Sequence, residues 1–445
     1  MEQNTSAEVT TEAVETSYYD VLGEKNFDGK TLSIIGVDYA TRRNFPNEEE
    51  AGEVVNDALA ERDSFITEKY NAEIKYSKYE KSRDINPIIL NEVLSNENND
   101  HVVISSIGDT LKPLLTGNAL YDLSKVPYID LTAAWWSPFV NENTRINDSV
   151  YITIGDISPQ KYYAPYALAF NKKLAENNHF PDLYSMVLDG TWDIDEFGKL
   201  TKETDRDLDG DGDIDQLDFW GYAHVNTKIM GLSHFIGAGG EASSYNGNEV
   251  VVDLNNEKAA GIVQKLQSVI SKITYSDMNE TTTMFVEDRA LFYGNSMSNI
   301  IANFRNMESD YGLVPTPKFD EKQENYYSYI NTFALGETGV PLTCSDIEFT
   351  GFMMEALCYK SYETVRPALF ENLIKEKVSR DAQSSQILDI IYDNTYLDLN
   401  GIFDFGGSNT FVGLAIAENN EYVSGIAAIE EAIKADITKN IEALG

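Results

Sequence analysis

The sharpest chemistry in the chain is a run of carboxylates at fixed spacing, DLDGDGDIDQLD over residues 207–218. Asp207, Asp209 and Asp211 hold the first, third and fifth places of a twelve-residue calcium loop, with Gly212 at the sixth and Ile214 at the eighth. Calcium is a hard cation that takes six to eight oxygens, and the glycine permits the turn that wraps them around it. In this register Asp207, Asp209, Asp211 and Asp218 are expected to ligate through their side chains. Asp213 would offer its carbonyl, and Asp215 a carboxylate or a bridging water. The usual last ligand is Glu. Asp218 is one methylene shorter, which weakens bidentate closure, and a register begun at Asp205 ends poorly on Gln216. The competing reading is a solvated acidic loop whose carboxylates raise one another's pKa values. A bound Ca2+ here is expected to be structural, because no flanking helix pair presents a Met-rich groove.

Signatures of catalysis are thin, and no enzyme is expected. His101, His179, His224 and His234 stand apart from one another and in no metalloprotease spacing. Gly237, Gly239 and Gly240 lack the strand-to-helix setting of a dinucleotide site, and a turn is the simpler account. No Ser-centred nucleophile elbow is present, and with 73 acids chance carboxylate pairs are inevitable. What remains is a recognition surface. Trp135 and Trp136, followed by Ser-Pro-Phe, form a paired indole in a loop, one of which is expected in the core. Tyr162, Tyr163, Tyr166, Trp220, Tyr293, Tyr326 and Tyr327 add rings. Flat sugar faces stack on such rings, and their hydroxyls need Asp, Asn, Arg or Glu partners.

Composition narrows the partners. A net charge of −39 repels phosphate backbones and anionic lipid, which excludes nucleic acid and a peripheral membrane role. Hydrophobic content of 42% with 11% aromatics is that of a globular chain rather than a disordered acidic one. The length of 445 residues suits two or three domains. Cys344 and Cys358 are too few for a disulfide scaffold, and Cys358 falls in an expected helix, which argues against their pairing. No stretch approaches the ~18 apolar residues of a membrane span. Residues 1–27 read as a flexible tether, either of an exported protein whose leader has been removed or of an ordinary cytosolic chain.

The elements that must position these groups alternate. KTLSIIGV (30–37) is a strand; Val55, Leu59, Ile66 and Tyr70 recur at helical spacing; Ile74 and Tyr76 mark a second strand. Asn86-Pro87 opens a helix to Leu94, and HVVISS (101–106) is a third strand. This is the pattern of a parallel α/β sheet, whose ligands gather at the carboxyl ends of strands. Asp38 and Asp109, in loops after the first and third strands, are therefore candidate ligand residues. A strand at 167–170 runs into a helix, Asp193 caps another with Glu196 completing a capping box, and residues 346–395 are mostly helical. YGLVPTPKFD (311–320) is a strand expected to return to the first sheet.

Taken together, KTLSIIG, Trp135-Trp136, YALAFNKKL (166–174), GTWDIDEF (190–197), DLDGDGDIDQLDFWGYA (207–223), ALFYGNSM (290–297), YGLVPTPKFDEKQENYYSY (311–329) and LFENLIKEKVSRDAQSSQILDIIYDNTYLDL (369–399) resemble, in family order, the family 1 extracellular solute-binding proteins of bacterial ABC importers. The resemblance implies an α/β, two-lobed periplasmic-binding-protein-like fold of type II, with discontinuous lobes on a multi-strand hinge. Lobe 1 would comprise 28–160 and 292–330, and lobe 2 161–291 and 331–445. It implies a monomeric, extracellular lipoprotein, anchored through a cysteine absent from this sequence, that captures a carbohydrate and delivers it to an ABC permease. By motif position Trp136, Tyr293, Asn295 and Ser296 would face the sugar, with Asp38 and Asp109 binding hydroxyls. The usual cleft aromatics are not all matched. Competing readings are a secreted calcium-dependent glycan hydrolase, a surface adhesin, and a receptor of this fold for another solute.

Overall fold

The computed structural model describes residues 17–38, 43–96, 101–105, 111–212, 215, 217–225, 227–247, 249–270, 278–304, 307–330, 335–375 and 382–441. It is a mixed α/β structure, as the alternating pattern predicts. One sheet has the order β2-β1-β3-β12-β4, with β1 Lys30–Val37, β2 Ala72–Tyr79, β3 His101–Ser105, β4 Thr153–Ile154 and β12 Glu337–Gly339. β1 runs parallel to β2 and β3, while β12 is antiparallel to β3 and β4.

The near-continuous apolar run of β1 follows from burial on both faces. Leu32 and Ile34 point to a layer holding Ile66, Tyr70 and Phe352, whereas Ile35 and Val37 point to one holding Ile85, Ile89 and Leu114. The first layer is the helix Val54–Tyr70 packed along the long helix Ile347–Lys375. Arg62 is buried between them; its guanidinium donates to the carbonyl of Ile157, to Ser361 Oγ and to Tyr76 Oη, and pairs with Asp63.

The second sheet has the order β10-β5-β9-β6, with β5 Tyr166–Asn171, β6 Trp220–Ala223, β9 Ala290–Ser296 and β10 Tyr311–Val314. Two-residue strands β7 (Ser244–Tyr245) and β8 (Val250–Val251) pair with each other, as do β11 (Ser328–Tyr329) and β13 (Thr395–Tyr396). Beside this sheet the helices Lys228–Gly237 and Ser408–Ala417 touch backbone to backbone. A Cβ on Gly231 would stand 2.0 Å from the carbonyl oxygen of Gly413.

Three expectations are corrected. The strand at 311–314 pairs with β5, and β9 likewise, so 292–296 and 311–314 lie in the second sheet and not in the first. Val314 and Leu313 complete the buried edge of β5, which a first-sheet placement would leave uncovered. Residues 17–27, expected in the tether, are folded: Tyr18–Leu22 is helical, and Tyr18, Tyr19 and Phe27 supply rings that pack on Trp135, Phe65 and Phe349. The helix expected to open at Asn86-Pro87 begins at Ile85, with proline tolerated in its first turn. Cys344 and Cys358 are both free and buried.

Candidate functional site

Strand pairing and chain order fix which ends of the two sheets the chain links. Glu337, at the start of β12, stands opposite both Ser105 and Ile154, so the carboxyl ends of β3 and β4 share one edge with those of β1 and β2. The chain leaves that edge through residues 155–165 and enters β5 at Tyr166, opposite Ser296 at the end of β9. Ala223 at the end of β6 lies beside Tyr293. It returns through Ile330, bridged to Pro165, into β12. Among the described residues, Pro165 and Ile330 thus pair side by side where the chain passes between the carboxyl edge of the first sheet and the edge of the second that carries Tyr166, His224 and Ser296.

The crossing is internally cross-linked. Lys161 Nζ and Tyr162 Oη both donate to Asp156 Oδ1, at 2.8 and 2.6 Å, with all three side chains buried. Tyr392 Oη donates to the carbonyl of Tyr162, and Ser158 Oγ to Asn44 Oδ1.

At this edge Asn295 accepts from the amide of Ser296 and from Asn299 Nδ2, and donates to Tyr293 Oη. Ser296 Oγ accepts from Asn299 Nδ2. Asn295 is half-buried, but Ser296 and Tyr293 have no exposed surface. Asp38 does lie at the end of β1, yet its carboxylate accepts from the Asn44 amide and Arg43 Nη1 with 4% of the side chain exposed, so it is spent on turning its own loop. Asp109 lies outside the described residues.

Of the other ring candidates, Trp136, Tyr163 and Trp220 are buried and Trp135 is half-buried. Trp136 is fully buried against Gly155, and its Nε1 donates to Glu355 Oε2 at 2.5 Å. Trp135 Nε1 and Tyr18 Oη donate to the other oxygen of Glu355 at 2.9 and 2.7 Å. The indole pair is therefore an anchor for a buried carboxylate, and Trp136 is the member in the core. Burial raises the Glu355 pKa, opposed by these donors. Tyr163 is 9% exposed, and Trp220 is buried with Nε1 donating to the carbonyl of Asp215.

His224 and His234 are buried beside Tyr222, whose hydroxyl meets His234 Nε2 at 2.8 Å. Burial pushes the imidazoles down to about 4 and about 3 respectively, which keeps both neutral.

In the acidic loop, carboxylate oxygens of Asp207, Asp209 and Asp211 lie within 4.8 Å of one another at the surface. Asp207 accepts from the amides of Gly210 and Gly212, both in the left-handed region at φ 81° and 93°. The Asp211 amide favours the ionised form of Asp209, but slight desolvation and the carboxylates of Asp211, Asp218 and Asp207 outweigh it and raise its pKa, although the residue is exposed. Asp218 is turned inward, accepting from the amides of Leu208 and Asp215, which hold its pKa down. Asp215 accepts from the Leu217 amide, and Asp213 lies outside the described residues.

A cavity of about 470 Å³ opens elsewhere, where the helix Pro138–Asn143 meets the second sheet's surroundings. Phe139 stacks on Tyr327 across it, ring centres 5.5 Å apart and planes 13° from parallel, with Tyr396 beside them. Tyr327 stands in the ring-rich segments noted above and Phe139 in Ser-Pro-Phe; nothing in the spacing marks Tyr396. No protein-family model matches the chain, and no match is found among curated proteins.

Proposed function

We propose that the chain is a solute-binding receptor of two lobes that closes on a carbohydrate and releases it unchanged to a membrane permease. The reading rests on one observation: two sheets whose ligand-favouring edges are joined by crossing segments, the arrangement in which a hinge brings polar edges together. On this reading the lobes divide as 17–160 with 335–375, and 161–330 with 382–441. Asn295 and Asn299 sit at the facing edge, where amides discriminate hydroxyls by leaving a buried polar group unmet, at about 1–3 kcal/mol, when the stereochemistry is wrong. Among the described residues no helix is long and apolar enough to cross a membrane, so delivery would depend on an external permease.

A thermal-shift screen over soluble oligosaccharides, followed by calorimetry, scattering and product analysis, tests this. One sugar class is expected to raise the melting temperature and reduce the radius of gyration while returning intact. Cleaved sugar, or no shift from any sugar, would refute it.

The acidic loop fits calcium as a structural ion. Asp207, Asp209 and Asp211 present clustered hard oxygens, the chemistry that divalent calcium selects, and Trp220 ties the loop to β6. Chelation should lower the melting temperature of the parent, by an amount corresponding to about 2.7 kcal/mol at a hundredfold excess over Kd. The Asp207→Ala, Asp211→Ala double variant should not respond. A parent indifferent to chelator removes the ion from the reading.

A further inference from the structure

A cavity of about 240 Å³ lies where the edge strand β6 meets the ends of two helices, Ile194–Thr204 and Glu257–Val269. Its walls belong to the second half alone, and Trp220 opens β6, at the end of that strand away from His224. Because β6 ends its sheet, the N–H of Gly221 has no neighbouring strand to meet and donates to Asp205 Oδ1 at 2.7 Å instead.

Both helices bring their carboxyl ends to this cavity. Lys202 and the capping residue Asp205 come from the first, and Ser268 and Val269 with the capping residue Ile270 from the second. The last carbonyls of a helix have no partner within it and together carry about half a negative charge. Glycine or a basic side chain ordinarily answers them, but the second helix has neither: Ile270 caps it, and no basic residue stands in its last turn. Gln267 turns its amide away, donating to the carbonyls of Ala415 and Asn420. Of the cations on these elements, Lys265 is paired with Asp195, and Arg206 donates to Asn178 Oδ1 and lies over the Phe219 ring. Lys202 lines the cavity three positions before Asp205, and among the described residues no cationic side chain pairs with that carboxylate.

The opposite wall is apolar. Trp220 Nε1 is engaged by the carbonyl of Asp215 and the Tyr222 hydroxyl by His234 Nε2, so the rings themselves, with Val269 and Ile270, face the space. A carboxylate, unanswered carbonyls and aromatic faces are the three partners an ammonium group takes. A single water needs a void of about 10–15 Å³, so a bare metal ion would leave most of this cavity unfilled and the occupant must carry carbon. The net charge of −39 draws cations toward the chain from a distance.

We propose that this cavity binds an organic ammonium ion, its charged head between Asp205 and the two helix ends and its alkyl chain along Trp220. The site is independent of the receptor reading, since it needs neither a second lobe nor a sugar. Lys202 is the internal competitor, a tethered ammonium within reach of the same carboxylate. Trp220 also holds the acidic loop through the Asp215 carbonyl, so cavity and loop share one wall and have to be told apart by experiment.

The test uses the full chain labelled with 5-fluorotryptophan, its 4 tryptophans followed by fluorine NMR and the Trp220 resonance assigned by its loss in Trp220→Phe. n-Butylammonium chloride is titrated to about 50 mM, a range that reaches millimolar Kd values. The pH is about 7, where the amine is protonated. Ionic strength is held constant and a chelator keeps calcium off the acidic loop; n-butanol and butyrate serve as the neutral and anionic counterparts. Butylammonium alone should move the Trp220 resonance, and saturably. Asp205→Asn, which keeps an acceptor for the Gly221 N–H, should weaken binding about tenfold or more. Lys202→Met, which removes the competitor, should tighten it about two- to fivefold. An unmoved Trp220 resonance overturns the site, and so does equal movement by butanol, which would make it an apolar crevice. Weaker binding in Lys202→Met overturns the choice of a cation. The Asp207→Ala, Asp211→Ala double variant should keep the response; its loss would put the ammonium on the exposed loop and overturn the cavity.

Discussion

In the first half the buried Glu355 carboxylate collects three side-chain donors. Replacing it with Ala leaves the indole N–H groups of Trp136 and Trp135 facing a void; they now donate at 2.5 and 2.9 Å. An unmet buried donor costs about 1–3 kcal/mol, which Trp136 bears in full, while the half-buried Trp135 adds less because water can reach it. Tyr18 is only part-buried, and its hydroxyl, now 2.7 Å away, regains water and adds little. Against this, removing the carboxylate relieves the burial that raises its pKa. The net expectation is about 3 kcal/mol for Glu355→Ala. Glu355→Gln, which keeps one acceptor oxygen, should cost about 1–2 kcal/mol, and Tyr18→Phe about 1 kcal/mol. Urea unfolding followed by near-ultraviolet circular dichroism reports the two indoles directly, and equal m values are required for the comparison. A Glu355→Ala variant within about 1 kcal/mol of the parent, or Glu355→Gln worse than Glu355→Ala, would show that the carboxylate does not anchor the indoles.

Two further outcomes are expected. Gly231→Ala should destabilise by about 1–3 kcal/mol, since its Cβ would meet the backbone of Gly413 at 2.0 Å, whereas Gly261→Ala, with nothing within 4 Å, should stabilise by about 0.5–1 kcal/mol; equal melting temperatures for the two refute the close approach of the helices. Below pH 6.5 the unfolded chain protonates His224 and His234 while the folded chain, with pKa values of about 4 and about 3, does not, so stability is present above pH 6.5 and lost as pH falls. His224→Gln should flatten the stability profile between about pH 6 and 4 by up to about 1.4 kcal/mol per pH unit, and an unchanged slope shows that His224 titrates normally when folded.

Local pattern predicted local structure well, and failed wherever a partner distant in sequence decides. The run 30–37 is legible because every residue of a doubly buried strand can be apolar, and Asp193 is legible because capping is a contact over two or three positions: its carboxylate accepts from the Asp195 and Glu196 amides. The strand at 311–314 was recognisable as a strand but not by its sheet, because which edge it joins depends on β5, 140 or more positions earlier. The indoles show the same limit. A Trp-Trp pair in a loop reads equally as a sugar platform or a core anchor, and only Glu355, some 219 positions away, decides between them for Trp136. Residues 17–27 read as tether because their composition is polar, while three rings were enough to dock them.

The crossing segment illustrates how burial and motion are reconciled on the receptor reading. A hinge must bend at few residues while the groups around it stay paired, since separating a buried ion pair costs several kcal/mol. Asp156 and Lys161 are five residues apart on the same crossing and both buried, so their pair moves as one body with Tyr162. Arg62 holds the preceding carbonyl, that of Ile157, to the first half, and Tyr392 holds the carbonyl of Tyr162 to the second. The ties to opposite halves thus converge on residues 157–162, and the second crossing bridges at Pro165 and Ile330 just beyond them. The long helix Ile347–Lys375 adds a further tie between the halves, with Arg366 paired to Asp389 and Asp393, so on the receptor reading any bending has to be shared between the residues flanking this knot and the end of that helix.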